Sequence, residues 1–343
     1  MHNNQLSPLM ILLKKVLLSI SLILILLMAS SWGFLVHRTV QQIAIYELPK
    51  SMLAFFYKHK DKLVYDAPRA DIRRSKDSTE ATKHFIDLEM YGKNAVNKMP
   101  MEWDDAVKLY TKDSLLKYGH LPYHVITIKT KLTEAFQKQD KDSILFFAAD
   151  LGHYIADAHV PLHATVNYDG QLTNQKGIHS LWESMIPEIE ITNYTLYSKH
   201  TAKYLKHPEK AIWAAVRSSA AMVPVLLEKE REVSLSFTDA QKYRKQIRRG
   251  KEYTSYTSEF AKAYAISLKS TINDRLLASA DLIADFYYTA WVDAGKPALE
   301  EINKAFSRED QKAMKLDQKI FRKNSLIAAD KLIAKKATIK EEL

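Results

Sequence analysis

Two histidine–carboxylate pairs, each spaced four residues apart, stand within residues 150–183: His153 with Asp157, and His179 with Glu183. Four residues is about one helical turn, so each pair shares a face wherever the chain is helical. Pro161 ends the first such helix, because its ring removes a donor and crowds the preceding turn, and His163 follows it. Imidazole nitrogen and carboxylate oxygen are the donors zinc takes when thiolate is lacking. The chain contains no cysteine, which excludes thiolate ligands and disulfides alike. The pattern points to a metal centre that includes His153, Asp157, His163, His179 and Glu183.

The remaining sequence supports a helical framework. With only 8 glycines in 343 residues, the chain is poorly suited to a turn-rich all-β fold. Apolar spacing predicts helices over 37–63 (broken near Pro49), 101–118, 123–139, 141–160, 209–233 (kinked at Pro224) and 255–294, with a short one from Ile178. Gly295-Lys296-Pro297 closes the last long helix. Segments 64–82, 91–100 and 168–177 read as irregular, and 231–251 as polar and basic. Residues 298–343 read as a charged helical tail, partly disordered. The 141–160 helix is apolar (Ile144, Leu145, Phe147, Leu151, Ile155), which places His153 and Asp157 inside the protein. Buried charge needs compensation, a further argument for a cation there. No glycine-rich phosphate loop is present.

The N-terminus has the form of a leader. Lys14 and Lys15 precede an apolar run over 16–28, and Ala29 and Ser31 supply small residues at −3 and −1. Cleavage after Ser31 makes residues 1–31 a signal peptide and exposes the α-amine of Trp32, five residues before His37. An amine with a pKa near 8 (roughly) gives up its proton readily to a metal. The expected location is outside the cytoplasm, periplasmic or secreted. The net charge is +10, of which Lys14 and Lys15 account for two. It suits an anionic partner such as nucleic acid or phospholipid.

Read in order, Trp32, His37, Asp71, His84, His153, Asp157, His163, His179 and Glu183 resemble the ligand series of the zinc-dependent phospholipase C and single-strand nuclease superfamily, with its S1/P1-type nuclease branch. The motifs are WGFLVH, ADIRR, HFID, HYIADAHVPLH and GIHSLWE, and the resemblance runs from about Trp32 to Trp291. It implies an all-α, single-domain, multi-helix fold over 32–297 with a trinuclear zinc cleft. By position, Asp71, His84, His153 and Asp157 would hold the first Zn2+, and His163, His179 and Glu183 the second. The Trp32 amine and carbonyl, His37 and a shared Asp157 would hold the third.

The resemblance also implies a chemistry. Paired zinc ions lower the pKa of a shared water so that it attacks a phosphodiester. Asp71 would orient that water, and Arg74 would stabilise phosphate charge, with Arg73 as its substitute because the register is ambiguous. Phe85 and Asp87 of HFID match positions that stack on and hydrogen-bond a base. The expected substrate is single-stranded DNA or RNA, cut to 5′-phosphate products by a monomer with no obligate protein partner. Glu183 stands where the nucleases have Asp and the lipases Glu, so a phospholipase C acting on phosphatidylcholine-like lipids is the alternative. A zinc-binding envelope protein without activity is a second. His159, six residues from His153, is expected off the ligand face.

Overall fold

The computed structural model describes residues 33–248, 251–302 and 306–335. Residues 1–31, read above as a leader, and Trp32 lie outside them. Among the described residues, seven helices exceed ten residues: α1 (Phe34–Glu47), α2 (Leu121–Gln137), α3 (Lys141–Ala158), α4 (Pro208–Ser234), α5 (Ser258–Leu268), α6 (Thr271–Asp293) and α7 (Arg308–Arg322). The described strands form one antiparallel hairpin, β1 (Tyr243–Arg248) with β2 (Lys251–Tyr256). The architecture is all-α, as the glycine-poor composition predicts.

Helix α3 is the centre of the packing. Asp140 starts it by accepting a hydrogen bond from the Asp142 amide at 3.2 Å. Ile144, Leu145, Ala148, Leu151 and Ile155 are buried, and α1, α2, α4 and α6 pack around them. Each large aliphatic buried this way contributes roughly 1.5–3 kcal/mol. Gly152 lets α1 and α6 come close: a Cβ there would lie 2.1 Å from Gln41 Oε1 and 2.9 Å from the Tyr287 hydroxyl. The close approach brings His37, one turn before Gln41, onto His153, their rings stacked at 4.1 Å.

Several local predictions needed correction. The expected 101–118 helix is broken at Thr111, which takes φ +64° and caps Lys112–Tyr118 by accepting from the Ser114 amide at 3.3 Å. The 255–294 helix is split between α5 and α6, where Lys269 takes φ +54°. Segment 64–82 is not wholly irregular, since Arg69–Arg73 is helical. The 231–251 region ends in β1, which the sequence reading did not anticipate. Beyond Ala298, Phe321, Leu326, Leu332 and Ala334 are buried in the same core as α1. Gln42 holds that region in place, donating to the Lys331 carbonyl at 2.7 Å and accepting from the Ile333 amide at 2.9 Å.

A buried carboxyl sits at the end of α1. The Ser198 hydroxyl lies 2.9 Å from Glu47 Oε1 and 2.7 Å from Asp281 Oδ1 and accepts from the His200 amide at 3.2 Å. One hydroxyl hydrogen serves only one carboxylate, so the arrangement requires a proton on the other. Burial, with Asp281 and Asp285 nearby, pushes Glu47 up to about 9. The folded chain thus holds a proton that the unfolded chain releases above the ordinary pKa of about 4.5. Glu47 therefore costs stability progressively as pH rises from about 4.5 towards 9. Glu47→Gln should remove this dependence. Its melting temperature relative to the parent is expected to climb steadily from pH 5 to pH 8.5; a constant difference would mean that Glu47 is ionised in the fold.

Candidate metal centre

Each expected ligand within the described residues comes from a different local device. His37 is on α1, Asp71 on the Arg69–Arg73 helix, and His153 and Asp157 on the last turns of α3. His84 follows the 3-10 turn Ala81–Lys83. His163 sits in the 3-10 turn Pro161–Ala164, which Pro161 opens after Val160 leaves the helix with extended backbone. The Ile86 amide donates to the His163 carbonyl at 2.9 Å and ties these two segments together. His179 is on the turn Ile178–Ser180, and Glu183 on a π turn, Leu181–Met185. Such wide turns are rare and concentrate at functional sites.

These residues form three sets whose donor atoms all lie within 4.8 Å of one another: His37, His153 and Asp157; Asp71, His84 and His153; His163, His179 and Glu183. Asp157 links them. Its Oδ2 lies 2.9 Å from His84 Nδ1 and 3.3 Å from His153 Nε2, while its Oδ1 lies 3.6 Å from His37 Nε2 and 3.5 Å from His163 Nδ1. Glu183 reaches the His179 Nε2 at 2.7 Å and the His37 Nε2 at 3.7 Å. His153 belongs to two sets, a sharing that spacing alone did not indicate.

The centre attracts positive charge. Burial opposes protonation of His84, but Asp157, Glu80 and Asp71 outweigh it and hold the imidazole up to about 9. Burial likewise opposes charge on His153, yet Asp157 and Asp71 raise it. Asp157 is almost fully buried, and His153, His163 and His84 still hold it well below the carboxylate range. A site that favours charge on buried imidazoles also favours a dication. The donor set fits zinc, being imidazole nitrogen and carboxylate oxygen throughout. The His163 Nδ1 is buried without a hydrogen-bond partner.

An outer layer of contacts orients the ligands. The Ala67 carbonyl lies 3.0 Å from His153 Nδ1. Glu80, buried, faces His84 Nε2 at 3.5 Å and accepts from Lys83 at 2.8 Å, from Arg73 at 3.1 Å and from the Tyr154 hydroxyl. Asp150, also buried, accepts from Arg69 at 2.6 Å and Arg73 at 3.0 Å. Sequence reasoning missed this layer, although Glu80 precedes His84 by the same four residues that flagged the ligand pairs. Glu80→Gln should weaken metal retention about 10- to 100-fold in a chelator competition; unaltered retention would show that His84 is oriented without it.

The two candidate phosphate-binding arginines diverge. The guanidinium of Arg74, half exposed, lies 3.5 Å from Asp71. Arg73, offered as its substitute, is instead turned into the Asp150–Glu80–Tyr154 network, since two buried carboxylates need its charge more than solvent does. Phe85 and Asp87 are half-buried beside His84, and burial together with Glu89 pushes Asp87 up to about 6. The Phe85 carbonyl accepts from the Leu121 amide at 3.2 Å, and the Asp87 amide donates to the Tyr118 carbonyl at 2.8 Å. His159 is outside all three sets: its Nδ1 bonds the Ile155 carbonyl at 2.8 Å, and burial near Arg275 lowers it to about 3. His59, His120, His124, His200 and His207 also stand outside them.

No curated protein matches this chain. A sequence model of the S1/P1 Nuclease family matches residues 32–286. The match takes in every ligand-type residue of the centre and well over half of the chain. This chain belongs to the S1/P1 nuclease family, within the phospholipase C and nuclease superfamily, and is a hydrolase of phosphodiester bonds.

Proposed function

We propose that the protein is an exported nuclease that cuts single-stranded DNA or RNA to 5′-phosphate products with three zinc ions per chain. The observation that carries this reading is the trio of imidazole–carboxylate sets joined through Asp157 and His153. The family is zinc-dependent. Asp71, His84, His153 and Asp157 would hold one ion, and His163, His179 and Glu183 a second. His37 and Asp157, completed by the amine and carbonyl of Trp32, would hold the third. Zinc bound there lowers the pKa of a coordinated water and neutralises phosphate charge.

The chain's own residues do the rest. Asp71, less buried than the histidines around it, orients the attacking water and accepts its proton. The water oxygen bonds to phosphorus, the P–O3′ bond breaks, the proton taken up by Asp71 passes to the leaving O3′ to give a 3′-hydroxyl, and the phosphate stays on the 5′ side. Arg74 holds a non-bridging oxygen. Phe85 stacks on an unpaired base, and Asp87 accepts a hydrogen bond from its edge. Processing before Trp32 completes the centre. Gly33 supports this, because a Cβ on it would lie 3.6 Å from Glu183 Oε1 and 3.5 Å from Ser184 Oγ. The chain therefore reaches the centre one residue after the proposed new terminus. The catalytic domain is taken as 32–297, acting as a monomer.

Glu183 favours a second reading, cleavage of phosphatidylcholine to diacylglycerol and a phosphorylated headgroup. A side-by-side assay of processed protein on single-stranded nucleic acid and on phosphatidylcholine vesicles decides between them. Cleavage of nucleic acid is expected, with zinc content near three per chain. Lipid hydrolysis alone would overturn the substrate, and a zinc content near one would overturn the trinuclear assignment.

A further inference from the structure

Tyr168 stands beside the metal centre and serves no part of the core. Its side chain is 51% exposed and, among the described residues, belongs to neither cluster of buried apolar side chains. One exposed ring is ordinary on a protein surface; the surroundings of this one are not. It lies 6.1 Å from the ring of His179 and nearly perpendicular to it, at 80°. His179 forms a donor set with His163 and Glu183. The open part of the phenol ring therefore borders the place where a phosphodiester is cut.

The backbone around Tyr168 is fixed on both sides. Asn167, buried, donates its backbone amide to the Thr165 hydroxyl at 3.1 Å and its side-chain amide to the Thr173 hydroxyl at 3.0 Å. Its side-chain oxygen accepts from the Leu172 amide at 2.8 Å. Asp169 accepts from the Gly177 amide at 3.1 Å through both its carbonyl and its carboxylate. Gln175, also buried, donates to the Leu227 carbonyl at 2.7 Å and anchors the far end of the loop on α4. Tyr168 is thus carried on a self-bonded loop strapped to the turn that holds His179. A ring presented this way gives up little conformational freedom when a ligand stacks on it.

Phe85 stands at the other end of the centre, directly after His84. A chain of short contacts runs from His84 Nδ1 to Asp157 at 2.9 Å, from Asp157 to His163 Nδ1 at 3.5 Å, and from His163 Nε2 to His179 Nε2 at 3.0 Å. Phe85 flanks the first residue of that chain and Tyr168 the last. Glu89 ties the two walls together, accepting from the Thr165 hydroxyl and from the Val166 amide at 3.0 Å. A scissile phosphate lying at the donor sets has one nucleotide on each side, and every base has a π face on which an aromatic ring can stack. We propose that Tyr168 stacks on the base across the scissile phosphate from the one held by Phe85, so that the strand is gripped on both sides of the cut. The proposal rests on the nuclease reading with its base platform at Phe85.

The test uses processed, zinc-loaded protein and a thymidine dinucleotide, together with the two dinucleotides in which a baseless tetrahydrofuran unit replaces either the 5′ or the 3′ nucleoside. Tyr168→Ala should raise KM for the complete dinucleotide about tenfold with kcat unchanged. Tyr168→Phe, which keeps the ring, should stay within about twofold of the parent. The Tyr168→Ala loss should vanish on one baseless substrate and persist on the other. Phe85→Leu, which keeps an apolar side chain but removes the ring, should show the opposite pattern. Zinc content of Tyr168→Ala should equal that of the parent. Equal loss on both baseless substrates, or no loss on any substrate, would overturn the stacking role, and a fall in zinc content would make Tyr168 a prop for His179 instead. Losses of both variants cancelled by the same baseless unit would overturn the placement on opposite sides of the cut. If the parent cleaves none of the three dinucleotides, it is the nuclease reading that fails, and the proposal with it.

Discussion

Asp157→Ala should lose kcat/KM for a phosphodiester by about four orders of magnitude, equivalent to roughly 5.4 kcal/mol of barrier. It should also retain less metal than Glu183→Ala. The reason is positional. One oxygen of Asp157 faces His84 and His153, the other faces His37 and His163, and the side chain is 1% exposed. Its removal withdraws negative charge from every set at once and leaves four imidazoles facing one another. Glu183 serves chiefly the His163–His179 set. The measurement is metal content by mass spectrometry alongside hydrolysis of an aryl phosphodiester. Equal metal retention in the two variants would rule out Asp157 as the link.

Gly119→Ala should destabilise the fold by roughly 3–4 kcal/mol, through overlap and backbone strain of about 1–3 kcal/mol each. Gly119 takes φ +90°, and a Cβ on it would lie 2.3 Å from the Phe85 carbonyl oxygen and 2.7 Å from the Phe85 ring. Neither contact is easily relieved, because the Phe85 carbonyl is held by Leu121 and the ring lies directly over Gly119. The melting temperature should fall by about 5 °C. Gly92→Ala is the control: its φ is +98°, but nothing lies within 4 Å of the added Cβ. Since Phe85 is the proposed base platform, surviving Gly119→Ala protein should bind single strands more weakly yet hydrolyse a baseless aryl phosphodiester normally. A stability loss no larger than that of Gly92→Ala would show that the Phe85 segment yields.

Periodicity and ligand spacing carried most of the fold. The apolar repeat located α2, α3 and α4 closely and ran α5 and α6 together, because burial of one helix face leaves a strong pattern. Less visible were features set by tertiary contact. Thr111 and Lys269 break helices with positive φ, which no glycine or proline announces. β1 reads as YRKQIR, without apolar alternation, and of its described side chains Tyr243 alone packs against the core. Residues 306–335 looked solvated, yet a few apolar residues among many lysines suffice to dock them on α1. Within the site, histidines and carboxylates at four-residue spacing marked two pairs that the fold places in donor sets, His153 with Asp157 and His179 with Glu183. The direction of a long side chain left no such trace: Arg73 and Arg74 are adjacent, and only the buried Asp150 and Glu80 determine which one turns inward.

Because His153 stands in two donor sets and Asp157 faces histidines of all three, the sets are not independent of one another. Occupying one position fixes and deprotonates side chains that the next position also uses, so filling any one lowers the cost of filling its neighbours. Withdrawal follows the same logic. A chelator titrated into the loaded protein should divide the population into complete and empty molecules, with little in between. Zinc supply would then set how many copies of the enzyme are working, while each working copy runs at full rate.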